Sequence, residues 1–174
     1  MNLPDALAGQ IDVSRETMDR LAAYVALVEK WQQRVNLVSA STLPDIWMRH
    51  IWDSAQLAPL VPASTGRILD VGSGAGFPGL ILAALCDAEL HLVESDQKKA
   101  VFLQTVTRET GIRAIVHNKR IESLPPISAD GWQGFNAPVM DNCPNSGLAN
   151  NGLQEHSLFL IRLDEVQFGI AQRR

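Results

Sequence analysis

Arg67-Ile-Leu-Asp-Val-Gly-Ser-Gly-Ala-Gly-Phe-Pro-Gly79 is the stretch from which the rest of the chain is read. Ile68-Leu69-Asp70-Val71 has the character of a short buried strand. Glycines follow at 72, 74, 76 and 79, and Pro78 opens an apolar segment, residues 80–85, long enough for a helix whose first turn tolerates proline. Strand, glycine turn and helix N-terminus together make the nucleotide corner of an open α/β sheet. Glycine is expected there because the turn needs positive φ and the ligand must reach bare backbone.

Two patterns overlap in this loop. Gly74-Ala-Gly76-Phe-Pro-Gly79 satisfies the dinucleotide fingerprint G-x-G-x-x-G, with Glu94 twenty residues beyond Gly74. Asp70-Val-Gly72-Ser-Gly74-Ala-Gly76 satisfies D-x-G-x-G-x-G, which resembles the first motif of S-adenosylmethionine-dependent methyltransferases. A carboxylate separates them. Asp70 would repel a pyrophosphate held at the helix N-terminus, whereas S-adenosylmethionine carries a sulfonium, an ammonium and a single carboxylate. The methyltransferase reading is favoured on that ground, with a NAD-dependent oxidoreductase as the alternative.

At 174 residues the chain is long enough for one hydrophobic core. Its 46% apolar and 20% charged content is that of an ordinary soluble domain. No run approaches membrane-spanning length and the N-terminus has no signal-peptide pattern, so a cytoplasmic protein without a membrane partner is expected. Cys86 and Cys143 are too few for a disulfide framework and lack metal-ligand spacing, and Cys86 is expected as a buried thiol. The net charge of −4 argues against non-specific nucleic-acid binding, although Lys98, Lys99, Lys119 and Arg120 form a local basic group. Each of these is also explained as a solvated surface charge.

Upstream of the loop, Ser14 is an N-cap candidate, and Met18, Leu21, Val25, Val28, Trp31 and Val35 recur at helical spacing. Thr42 and Asp45 resemble a capping box before a second amphipathic helix carrying Ile46, Trp47, His50, Ile51 and Leu57. His50 and Asp53 stand one turn apart on it, spaced for a hydrogen bond, with Arg49 alongside. Downstream, Glu89-Leu-His-Leu-Val93 alternates like a strand and ends at Glu94, whose carboxylate would accept from two ribose hydroxyls. Asp96 caps a helix from Gln97 to Thr110, with Val101, Phe102, Thr105 and Val106 inward and Gly111 as its stop. Arg113-Ala-Ile-Val-His117 is a third strand, and Arg120-Ile121-Glu122 follows at the same sheet edge, placed to hold an adenine ring by a backbone N–H and an apolar side chain.

With these pieces in hand, the chain resembles the bacterial 16S ribosomal RNA guanine-N7 methyltransferases, the glucose-inhibited division protein B family. The likeness extends to about Asp130. It is carried by Trp31 with Asn36-Leu37, Arg49-His-Ile-Trp-Asp-Ser54, the segment Asp70 to Gly79, Leu92-Val-Glu-Ser95, Lys98-Lys99 with Phe102-Leu103, and Arg120-Ile-Glu122. The resemblance implies a Rossmann-like methyltransferase fold: a doubly wound α/β sheet of seven strands behind an N-terminal helical extension. It implies S-adenosylmethionine bound through Gly72, Phe77, Ile121 and Glu122, with Gly74 and Glu94 added by the reading of the residues. It also implies 16S ribosomal RNA in the small ribosomal subunit as the partner, and a monomer where the fold is complete. Attack by guanine N7 needs no general base, because that nitrogen carries a lone pair and no proton, so no catalytic acid or base is named.

On this basis residues 1–66 are the helical extension, 67–130 the cofactor-binding α/β half and 131–174 an atypical tail, all in one domain. The tail has neither strand alternation nor helical period from Gly131 onward, and only Ser157-Leu-Phe-Leu-Ile-Arg-Leu163 looks strand-like. It also lacks the family's S-R-A or A-R-A segment, having Asn136 in that neighbourhood. The expectation is a frame-shifted or truncated second half, an incomplete sheet with an open edge beside the glycine-loop strand, and a chain that binds cofactor poorly. A non-catalytic remnant is the third class considered.

Overall fold

The computed structural model describes residues 13–63 and 65–124, together with the strand at residues 157–162. Four strands, β1 (Thr65–Val71), β2 (Glu89–Val93), β3 (Ile115–His117) and β4 (Ser157–Arg162), lie in the order β3-β2-β1-β4 with every pairing parallel. Register places Val71, Val93 and His117 at one end of the sheet, and the glycine loop, Glu94 and Asn118 follow from there. All the expected binding segments therefore leave the carboxyl ends of strands, where open α/β sheets bind ligands.

Helix α1 (Arg15–Gln32) begins where Ser14 Oγ accepts the Thr17 N–H at 3.1 Å. Its stripe of Leu21, Tyr24, Val25 and Val28 is buried, in contact with helix α4 (Gln97–Thr110) and helix α3 (Gly79–Leu85). Asp96 caps α4 by accepting the Lys98 and Lys99 N–H groups, and Gly111 ends it at φ 71°. Phe102 and Val106 face the core as expected, but Val101 is 38% exposed: it sits about 100° around the helix from Phe102, off the buried stripe. Ile68, Leu90 and Leu92 share the core with these helices, while Leu69 and Val93 on the other face pack with Leu124, Val71 and Ile121.

The segment after α1 differs from the continuous helix that its spacing predicts. A 3-10 turn at Leu43–Asp45 leads into π-helix at Trp47–Trp52 and a single α turn, α2 (Asp53–Ala55). Thr42 makes no capping bond; its hydroxyl donates to the Ser39 carbonyl at 2.8 Å. The wider π turn alters side-chain spacing, and His50 meets Thr42 Oγ1 at 2.9 Å instead of Asp53, which accepts from Gln56 at 3.5 Å.

The open edge expected beside β1 is also corrected. Residues 157–162 pair with β1 from Thr65 to Val71, with one irregularity between Thr65 and Arg67. This strand comes later in the chain than the expected position near Asp130. Residues 1–12, Cys143, Asn136 and the remainder of the tail lie outside the described residues.

Candidate cofactor site

The chain leaves β1 through Gly72 (φ 73°), Gly74 (φ 55°) and Gly76 (φ 93°). A side chain at Gly72 would meet nothing within 4 Å, and one at Gly74 only the Gly72 carbonyl at 3.7 Å. These two residues border open space. Gly76 and Gly79 serve packing instead. A Cβ on Gly76 would lie 2.9 Å from Leu103 Cδ2, and one on Gly79 would lie 2.6 Å from Leu92 Cδ2 and press on the Asp70 carboxyl. Pro78 precedes α3 as its N-cap, just outside the helical turn expected to contain it, and the Phe77–Pro78 peptide is cis.

Four of the loop's N–H donors are spent on the protein. The N–H groups of Gly72 and Ser73 both donate to the Val93 carbonyl, at 2.9 and 3.1 Å, and that of Gly76 donates to the Ser73 carbonyl at 2.6 Å. Gly74 N–H donates to Glu94 Oε2 at 2.8 Å. A dinucleotide turn would offer such groups to a pyrophosphate; here all four are taken, one of them by a carboxylate. A trans peptide points its C=O opposite its N–H, so the Gly72 carbonyl is directed away from β2, on the open side of the turn.

Asp70 ends up on the core face of β1, fully buried. Burial pushes its carboxyl up to about 8; the Gly79 N–H and the Ser73 hydroxyl moderate the rise, and the charge of Glu94 adds to it. Neither carboxyl oxygen has a partner at hydrogen-bonding geometry, and the Ser73 hydroxyl donates to the Asp70 backbone carbonyl at 2.9 Å. Glu94 is 7% exposed; its Oε1 accepts the Asp96 N–H at 2.7 Å. Two bonds leave a carboxylate with lone pairs to spare for hydroxyl donors. Asp70 lies beneath the loop, and with its carboxyl near 8 it is largely protonated at neutral pH, so the repulsion of a pyrophosphate expected from its charge does not separate the two readings. The engaged N–H groups of Gly72, Ser73, Gly74 and Gly76, that of Gly74 held by the Glu94 carboxylate, are what disfavour a phosphate there.

The remaining expected residues fall as follows. Phe77 is buried at the foot of the loop, its ring 5.2 Å from that of Tyr24 and 4.9 Å from that of His50. Ile121 and Glu122 open a 3-10 turn, Ile121–Ser123, with the Ile121 side chain packed near Val93 and Glu122 exposed. Asn118 Nδ2 donates to the Glu94 carbonyl at 2.9 Å and so links that segment to the end of β2. Lys98, Lys119, Arg120 and Arg49 are exposed and Lys99 half-buried. Among the described residues no cluster of three or more His, Cys, Asp or Glu is placed to hold a metal.

Sequence reasoning missed Tyr24, whose hydroxyl donates to the Ala75 carbonyl within the glycine loop. Its place three residues after Leu21 puts it on the buried stripe, which was the available signal. It also missed Gln32, which accepts the Leu37 and Val38 N–H groups at 2.9 and 3.0 Å and so fixes the exit from α1.

Residues 17–131 match the family model described as GidB, rRNA small subunit methyltransferase G. Ribosomal RNA small subunit methyltransferase G of Rhodospirillum rubrum is 53% identical over 127 residues, covering 73% of this chain and 63% of that protein. The protein of the same name from Rhodospirillum centenum is 57% identical over 118 residues, covering 68% of this chain and 55% of that one. The chain thus spans less than two thirds of the length of these relatives. Among solved structures, a putative O-methyltransferase from Klebsiella pneumoniae aligns with a TM-score of 0.39 and 17% identity over 65% of this chain and 47% of its own, too slight a likeness to add to the fold description.

Proposed function

The chain belongs to the rRNA small subunit methyltransferase G family, and on that premise we propose that it carries the S-adenosylmethionine-binding part of an enzyme that methylates guanine N7 in 16S ribosomal RNA. The observation that supports this most is the inward hydrogen bonding of the glycine loop, with the Gly74 N–H given to the Glu94 carboxylate. It fits a cationic donor and disfavours the pyrophosphate of the oxidoreductase alternative.

S-adenosylmethionine, when bound, supplies a methyl group made electrophilic by its sulfonium. The chain's own residues bind and orient. Gly72 and Glu94 would hold the cofactor, the Glu94 carboxylate as acceptor for its ribose hydroxyls, while Gly74 and Phe77 shape the loop and Ile121 with Glu122 would border its adenine. Guanine N7 needs no base to act as nucleophile, so the protein's contribution is alignment, which by itself is worth several orders of magnitude in rate. RNA's narrow major groove hides N7 in a duplex, which favours an unstacked guanine as target. Arg49, Lys98, Lys99, Lys119 and Arg120 are the proposed phosphate contacts. The working partner in this reading is the small ribosomal subunit, met by a cytoplasmic monomer.

Residues 132–174 lie outside the family match, and methyl transfer to small ribosomal subunits tests what that costs. A version with a family-like second half in place of residues 131–174 should transfer methyl, and the present chain at a negligible rate. Full activity in the present chain would show that its own tail completes the site. Inactivity of both would remove the ribosomal RNA reading.

A further inference from the structure

We infer that Tyr24 and His50, two residues of the N-terminal helical extension, are positioning residues for the glycine loop, holding Ala75 and Phe77 so that the cofactor cradle keeps its shape. The functional part of this inference rests on the S-adenosylmethionine reading above.

The two ends of the loop are held by the sheet, Gly79 by its close packing on Asp70 and Leu92. Gly72, Ser73 and Gly74 are fixed to β2 through Val93 and Glu94. Ala75 and Phe77 take their anchors from elsewhere. The Tyr24 hydroxyl reaches across 51 positions of sequence to donate to the Ala75 carbonyl, in a setting where Tyr24 is fully buried and Ala75 is 5% exposed. The Phe77 ring meets the Tyr24 ring at an interplanar angle of 36° and stacks on the His50 ring at 21°. His50 is itself held by Thr42 through Nε2.

A turn with three glycines at positive φ gains more conformational freedom when released than the same turn built of other residues. A cofactor that had to order it would lose affinity, whereas a loop held in place beforehand avoids that loss. The anchors supplied by the extension are a buried hydrogen bond, whose loss would orphan the Ala75 carbonyl, and aromatic contacts at distances and angles typical of favourable ring pairs. The helical extension therefore adds anchors at Ala75 and Phe77 to those that the sheet gives the two ends of the loop.

The test uses the full 174-residue chain with Tyr24→Phe, His50→Ala and His50→Phe. Tyr24→Phe keeps the ring and removes only the hydroxyl; His50→Phe restores a stacking ring lost in His50→Ala. Two readouts are taken: amide hydrogen exchange across residues 72–79 in the cofactor-free chain, compared with residues 89–93 of β2, and calorimetric affinity for S-adenosylhomocysteine. Tyr24→Phe and His50→Ala should each accelerate loop exchange about tenfold while β2 is unchanged, and weaken binding by a similar factor, with His50→Phe close to wild type. Unchanged loop exchange, or acceleration shared equally by β2, overturns the inference. Loop exchange that responds in a chain whose wild type fails to bind S-adenosylhomocysteine upholds the anchoring and removes the cofactor reading instead.

Discussion

Glu94 accepts the Gly74 N–H at 2.8 Å, so the last residue leaving β2 ties down the glycine turn that leaves β1. The other oxygen of the same carboxylate takes the N–H of Asp96, the residue that caps α4. One side chain thus joins two strand ends and a helix start. The same group is the proposed acceptor for ribose hydroxyls, which makes its structural and binding roles experimentally separable.

Replacing Glu94 with Ala leaves two backbone donors without their acceptor and should lower unfolding stability by about 1–3 kcal/mol, measured by urea denaturation. Affinity for S-adenosylhomocysteine should fall by about ten- to a hundredfold. Glu94→Gln keeps an acceptor for one of the two backbone donors and turns an NH2 toward the other, so it should recover only part of the stability and part of the affinity. Unchanged affinity in the Ala variant would return Glu94 to a purely structural role.

Asp70 makes the cofactor-free chain sensitive to pH in a defined direction. Its folded value is about 8 against an ordinary 3.8, with burial as the main cause. Between those values the folded state holds more protons at Asp70 than the unfolded state, so the stability this group contributes is fully present below about 4 and is lost as pH rises toward about 8. One proton limits the slope to about 1.4 kcal/mol per pH unit. Asp70→Asn should flatten the curve and be the more stable protein at pH 8, with little difference at pH 4. Parallel stability curves for the two proteins would show that the Asp70 carboxyl is already ionised in the fold.

Much of this arrangement was legible because it is local. Ser14, Asp96 and Gly111 mark helix ends through their own backbone chemistry, and the glycine loop follows from the φ angles its turn requires. What failed depended on residues distant in sequence or on unusual helical spacing. The His50–Thr42 contact needed the π turn at Trp47–Trp52, which no apolar period announces. The bond from Tyr24 to Ala75 and the pairing of β4 with β1 join segments far apart in the chain. The overlap of two glycine fingerprints was not resolvable from glycine spacing alone, since it is the direction of the loop N–H groups that distinguishes a phosphate cradle from a cation-tolerant one.

We propose that this loop is built for S-adenosylmethionine and not for a dinucleotide. Calorimetric titration of the folded 174-residue chain with S-adenosylhomocysteine and, separately, with NAD tests it most directly. Saturable binding of S-adenosylhomocysteine and no heat of binding with NAD are expected. Binding of NAD without S-adenosylhomocysteine would contradict it.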